Sequence, residues 1–176
     1  MARESTLTNM VVTLFAVCLV SAALLGGLYA LTAEPIAAAQ TAKINTAIGG
    51  VVPAFTNAPS AEKFTVEASS SAGFGGTITL MVGFLPDGTI HGTSVISHAE
   101  TPGLGAKISE GQSHFVTQFQ GKNPGDPNFK FAVKKDGGSF DAITASTITS
   151  RAYIDVLNNA YNAFLNINKS EEAQQN

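Results

Sequence analysis

From Met10 to Leu31 the chain runs for 22 residues without a charge, and the run is apolar on all sides rather than along one stripe. At ~1.5 Å per helical residue it reaches ~33 Å, against a bilayer hydrocarbon core of ~30 Å. The hydrophobic core of a cleaved signal peptide is shorter, ~7–15 residues. The pattern therefore predicts an uncleaved membrane helix, although Ala33 lies in the small-residue context of a cleavage site. Arg3 and the α-amino group precede the span and Glu34 follows it, which places the N-terminus in the cytoplasm and the rest outside. Tyr29 suits the far interface. Ala22 with Gly26, Ala23 with Gly27, and Gly26 with Ala30 are each four apart, a spacing that admits close packing on another membrane helix.

Beyond the span the periodicity changes. Pro35 stands at a helix start, and the apolar residues from Ala37 to Ile48 predict a helix over 34–48, either separate or a kinked continuation of the membrane helix, ended by Gly49-Gly50. Residues 53–62 are rich in Pro, Asn and Ser and read as a loop. Alternation predicts a strand over 63–68, with Phe64 and Val66 on one face, and then a loop over 69–73. Residues 76–85 and 89–97 predict two strands joined by the turn Pro86-Asp87-Gly88, a β-hairpin with Ile90 and Ile96 in the core. Pro102-Gly103 suits the centre of a type II turn in an irregular loop. A short helix is expected over 110–120, with Phe115 and Phe119 one turn apart, and a strand over 129–133. Ala152, Val156, Ala160 and Phe164 recur every fourth residue, broadened by Ile154, Leu157, Tyr161 and Leu165, so a helix runs from Ser150 to about Ile167. A polar, frayed tail follows. The expected class is α+β: a single transmembrane helix, then an antiparallel-type sheet with flanking helices. The expected division is an anchor over 1–33, a connector over 34–62, a domain over 63–170 and a tail over 171–176.

Composition narrows the partners. Charged residues are 13% of the 176, about half the share usual in soluble proteins, and mean hydropathy is +0.17. The anchor explains part of this. The 143 residues after Ala33 still carry few charges, with 9 Lys/Arg against 12 Asp/Glu. No basic surface is available for phosphate neutralisation, which argues against nucleic acid. The single cysteine, Cys18, excludes an internal disulfide and a thiolate metal site. His91, His98 and His114 match no metal-ligand spacing.

Two segments concentrate chemistry. Residues 98–107 pack His98, Glu100, Thr101 and Lys107 around Pro102, Gly103 and Gly105; the plain alternative is a charged connection between strand and helix. Residues 141–150 place Thr144, Ser146, Thr147, Thr149 and Ser150 before the C-terminal helix, where free amides and the helix dipole suit an anion or phosphate ester. The plain alternative here is a helix cap by Thr149 or Ser150. Gly73-Phe74-Gly75-Gly76 opens a strand and reads as a turn or bulge.

In order along the chain, the membrane helix, Gly-Phe-Gly-Gly-Thr-Ile, Pro-Asp-Gly-Thr-Ile, His-Ala-Glu-Thr-Pro-Gly-Leu-Gly and Asp-Ala-Ile-Thr-Ala-Ser-Thr-Ile-Thr-Ser-Arg resemble the FMN-binding G subunit of the Rnf electron-transport complex. They are also similar to the C subunit of the sodium-pumping NADH:quinone reductase (Nqr). The resemblance implies one FMN, attached covalently as a threonine phosphoester within a motif close to Asp-x-x-Ser-Gly-Ala-Thr-x-x-Ser/Thr. Here Asp141 matches the Asp, Thr147 the acceptor and Ser150 the last hydroxyl, with Thr149 beside it; Thr144, Ala145 and Ser146 depart from Ser-Gly-Ala. Glu100, Thr101, Gly103, Leu104, Gly105 and Lys107 are implied to line the flavin site, with Lys107 near the reduced ring. The implied role is electron transfer within an ion-translocating ferredoxin:NAD complex in the inner membrane. Its implied partners are the other membrane and redox subunits, membrane lipid and, during maturation, a flavin transferase. No complete catalytic cycle is expected of this chain alone. The alternatives are a membrane-anchored assembly module without cofactor, an Nqr-type subunit and a stand-alone flavin reductase.

Overall fold

The computed structural model describes residues 7–51, 65–110 and 113–174. The chain divides into two compact units, Met1–Ala42 and Lys43–Asn176. Within the first lies most of helix α1, Leu7–Val51, whose Leu, Val, Phe and Met side chains are exposed from Leu7 to Leu31. That surface is long and apolar enough to cross a bilayer, in agreement with the expected span. Of the two readings of 34–48 the continuation of the membrane helix holds, with Pro35 inside α1; Gly49-Gly50 does not end it, since the helix continues to Val51. Pro35 lacks an N–H, so one rung of the ladder is missing without ending the helix. The loop expected over 53–62 and the side chain of Phe64 lie outside the described residues.

The second unit is built on a three-stranded antiparallel sheet, β1 Thr65–Ser70, β2 Ile78–Phe84 and β3 Ile90–Ser97, in the order β1-β2-β3. Strand β1 runs two residues past its expected end, because Ser69 and Ser70 pair with Thr79 and Ile78. The β2–β3 hairpin closes as its turn residues require: Gly88 has φ 84° and donates to Leu85 O at 2.9 Å, while the Asp87 carboxylate accepts from the Thr89 amide at 2.9 Å.

Strand β2 is central and buried on both faces. Ile78, Leu80, Val82 and Phe84 alternate onto the face covered by helix α3, Thr147–Gln174, which supplies Tyr153, Ile154, Val156, Leu157, Ala160 and Phe164. Met81 on the other face packs on Ala47 and Val51 at the end of α1. A Cβ at Gly83 would overlap the Val51 carbonyl, so glycine is what lets α1 approach. Phe119 stacks on Tyr153 at 5.6 Å and tilts on Phe140 at 4.6 Å within the same core.

Three boundaries differ from the sequence reading. Helix α2 is only His114–Thr117, capped by Ser113, so Glu110 is outside it. No strand forms over 129–133; this stretch is irregular, with a single bridge from Val133 to Phe140, because Phe129 and Phe131 pack as an aromatic pair rather than pairing with a neighbouring strand. Helix α3 begins at Thr147, three residues before the expected start, and continues past Ile167 to Gln174.

Candidate functional site

The start of α3 decides where the hydroxyl-rich segment points. The Ser146 amide donates to Ile143 O at 3.0 Å, closing a turn with Thr144 and Ala145 at its corner. Ala145 there has φ 60°, the left-handed region that glycine favours. Ser150, fully buried, locks this turn to the helix: its Oγ donates to Ser146 O at 2.9 Å and accepts from the Ile143 amide at 2.9 Å. The helix ladder opens with Ser150 N–H to Ser146 O at 3.0 Å. The amides of Thr147, Ile148 and Thr149 precede that rung and are the free donors of a helix N-terminus.

The five hydroxyls are not equivalent. Thr149 is 1% exposed and donates to Glu100 Oε2 at 2.6 Å. Ser150 is spent on the turn, and Ser146 is buried. Thr144 is exposed but away from the cavity described next. Thr147 is half-buried and lies on the wall of that cavity, and its hydroxyl has no protein partner among the described residues.

The cavity, about 330 Å³, is enclosed by three segments: Phe74 from the β1–β2 connection, Glu100 to Gly105 after β3, and Ala145 to Thr149 at the start of α3. Glu100, 5% exposed, ties all three together. Its Oε1 accepts from the Gly75 amide at 3.1 Å and its Oε2 takes the Thr149 hydroxyl. A Cβ at Gly105 would stand 2.5 Å from Glu100 Oε2 and 2.8 Å from Thr149 Oγ1, so only glycine lets that loop close over the carboxylate. The loop is also held from outside the cavity. His98 Nδ1 accepts from the Glu100 amide at 3.1 Å and Nε2 meets Ser109 Oγ at 2.7 Å, which puts the proton of the neutral ring on Nε2. Gly103, φ 75°, forms the turn closed by Leu104 N–H to Thr101 O at 3.2 Å, as the Pro-Gly pair requires.

Of the residues singled out in the sequence, Glu100, Thr101, Leu104, Gly105, Ala145, Ser146, Thr147 and Thr149 meet on this cavity. Gly103 turns the loop that carries Thr101 and Leu104, and Ser150 holds the turn before α3. Lys107 is exposed on the 3₁₀ helix Gly105–Ser109 and is not part of the wall. Asp141 opens instead on a second, polar cavity of about 510 Å³. Its carboxylate pairs with Lys134 at 2.8 Å, and that hydrogen-bonded ammonium holds its pKa below the usual carboxylate value. Its backbone is clamped by Gln118, which accepts from the Asp141 amide at 2.8 Å and donates to its carbonyl at 2.9 Å. The sequence reading missed Phe74 and Ile148 as wall residues; a lone aromatic between glycines was the available signal for the first.

This donor set fits a phosphorylated aromatic ligand: free helix amides and an accessible hydroxyl at one end, and the apolar side chains Phe74, Leu104 and Ile148 beside them. The sequence pattern of the FMN-binding domain family matches residues 73–162, just over half of the chain and the whole of this site. The chain belongs to the FMN-binding domain family. It is similar to proteins named as the G subunit of an ion-translocating oxidoreductase complex: 47% identical over 96 residues to that of Salmonella typhi, covering 54% of this chain and 47% of the relative. Against the Shewanella baltica protein the identity is 43% over 106 residues, 60% and 50% of the two chains. Against that of Vibrio vulnificus it is 38% over 116 residues, 65% and 54%. The chain spans about half the length of these curated relatives. The family resemblance read from the motifs is thus borne out.

Proposed function

We propose that this protein is a membrane-anchored electron-transfer subunit of an ion-translocating oxidoreductase complex, carrying one FMN as a phosphoester on Thr147. The observation that carries the reading is the accessibility of Thr147. Among the five hydroxyls it is the one that is both reachable from solvent and placed on the cavity wall, at the helix N-terminus. Ester formation joins Thr147 Oγ to the phosphorus of an activated flavin nucleotide as the bond from that phosphorus to its nucleotide leaving group breaks; the leaving group departs and the hydroxyl proton passes to solvent. The adjacent amides of α3 then face a phosphodiester anion, which the helix N-terminus stabilises.

When bound, the flavin supplies the redox chemistry; the chain supplies its placement. Glu100 keeps its carboxylate occupied by Gly75 and Thr149 and fixes the three wall segments together. Gln118 and Ser150 hold the turn that presents Thr147. Further elements of the reading are an inner-membrane location with the N-terminus in the cytoplasm, the small-residue face of α1 packed on another membrane subunit, a flavin transferase acting in maturation, and electron flow of the ferredoxin:NAD type. One membrane helix has no path for an ion, so translocation falls to the partners.

The test is direct. The full chain is produced with a flavin transferase, denatured, separated on a gel and viewed under ultraviolet light. A fluorescent band, with an added mass of one FMN less one water, is expected in wild type and absent in Thr147→Ala. A non-fluorescent wild-type band of unmodified mass would sink the reading and favour the cofactor-free assembly module.

A further inference from the structure

Phe74 is a large apolar side chain that the fold keeps in water. It is 70% exposed, whereas Phe84, Phe115, Phe119, Phe140 and Phe164 of the same unit are buried. Its position is not slack. A Cβ at Gly75 would overlap the Ala99 carbonyl, and one at Gly73 would overlap the Gly76 carbonyl, so both neighbours are packed backbone to backbone. The Gly76 amide closes a turn onto Gly73 O at 3.3 Å, and the Gly75 amide is bonded to Glu100. The ring is therefore held out over the cavity by the same buried carboxylate that holds the first turn of α3. Leu104, 42% exposed, and Ile148, 50% exposed, share the wall with it. Three exposed apolar side chains from three distant segments thus meet beside Thr147. Nothing in the stability of the domain requires them there, because each would gain by burial.

We propose that Phe74 is the aromatic face on which the ring system of the flavin tethered at Thr147 is seated, with Leu104 and Ile148 as its apolar edges. The inference rests on the tether reading above and specifies how the same site holds the ring. A planar aromatic ring system prefers an offset aromatic neighbour. The cavity is at the small end of the ~300–1,000 Å³ range of ligand pockets. A seated ring is therefore only partly enclosed and depends on one rigid face. The tether fixes the phosphate end, and Phe74 limits how far the other end swings.

The experiment uses the full-length flavinylated chain in detergent, with flavin occupancy checked on a denaturing gel. Phe74→Trp puts an electron-rich, quenching ring at the proposed contact and should remove most of the flavin emission. Ile167→Trp, far along α3, should leave it unchanged. Phe74→Ala should keep the flavin attached but raise its iodide quenching constant by roughly 2- to 10-fold, the factor that corresponds to losing one aromatic pair. Phe74→Tyr should restore the wild-type constant. Attached flavin with undiminished emission in Phe74→Trp and unchanged iodide quenching in Phe74→Ala overturns the seat while leaving the tether intact. The same result accompanied by slower electron exchange with partner subunits would mark Phe74 as a protein contact and equally overturn it. Wild-type chain without attached flavin overturns both readings.

Discussion

Replacing Ala145 by glycine should stabilise the domain, although the change removes a methyl group and adds a flexible residue. Among the described residues Ala145 is the one non-glycine with positive φ, at 60°. An L-residue in the left-handed region costs roughly 1–2 kcal/mol. Glycine recovers that cost but loses about 0.4–1 kcal/mol through the greater freedom of the unfolded chain. The Ala145 side chain is exposed, so no burial is forfeited. The net gain is about 0–1.6 kcal/mol, a rise of up to roughly 3–6 °C in the unfolding midpoint. The assay is urea and thermal unfolding in detergent, followed by circular dichroism. Ala72→Gly is the control. Ala72 is also exposed but has no positive φ, so the same chemical change should lower stability by about 0.4–1 kcal/mol. The two variants are therefore expected to move in opposite directions. Equal losses in both would refute the left-handed turn at 145. The flavinylation motif that this chain resembles carries glycine at that position, so Ala145→Gly should also leave Thr147 at least as well modified as wild type, read from gel fluorescence.

Thr149→Val keeps the shape of the side chain but removes the donor to Glu100 Oε2, leaving a buried carboxylate short of a partner; a loss of about 2 kcal/mol in urea unfolding is expected. Gly105→Ala drives a methyl onto the same bond and should cost at least as much, with reduced flavin occupancy as a second readout. Gln118→Ala strips both backbone groups of Asp141 of their clamp and should cost about 1–2 kcal/mol. Acid should weaken the domain in a defined window. Asp136 and Asp141 are held below their ordinary 3.8 chiefly by hydrogen bonds from Arg151 and Lys134, so their contribution is complete above that value and is lost as pH falls through the depressed folded values. A double variant, Lys134→Met with Arg151→Met, should show a smaller fall in urea midpoint below about pH 4 than wild type does.

What the sequence revealed followed from strict local patterns. The β2–β3 hairpin is fixed by alternation and by Pro86-Asp87-Gly88, and the core face of α3 by apolar residues four apart. What it concealed depended on tertiary partners. The alternating Phe129, Phe131 and Val133 imitate a strand, yet with only a single bridge to Phe140 they settle as an aromatic cluster. The start of α3 was misplaced because β-branched Thr147, Ile148 and Thr149 are poor helix formers; buried Ser150 and the Glu100–Thr149 bond recruit them into the first turn. Asp141 illustrates the limit within the motif itself, since Ala145 to Thr149 line one cavity and Asp141 lines another.

The two chemical segments stand 49 residues apart at their closest bond, Glu100 to Thr149, and neither makes sense without the other. A buried carboxylate in a loop is a liability unless its oxygens are occupied, and a threonine hydroxyl in a first helical turn is available to do so. Both threonines line the cavity beside Phe74, but Thr149 spends its hydroxyl on Glu100, whereas the hydroxyl of Thr147, two residues earlier, has no protein partner among the described residues. Glu100 thus takes the hydroxyl of one cavity threonine and leaves that of the other accessible, without touching it. Glycine is needed at 73 and 105, where a Cβ would crowd the Glu100 carboxylate, and at 75, where it would overlap the Ala99 carbonyl. The motifs behave as one device split across the chain, and a substitution at Glu100 is expected to disturb Thr147 by releasing Thr149 rather than by removing a ligand contact.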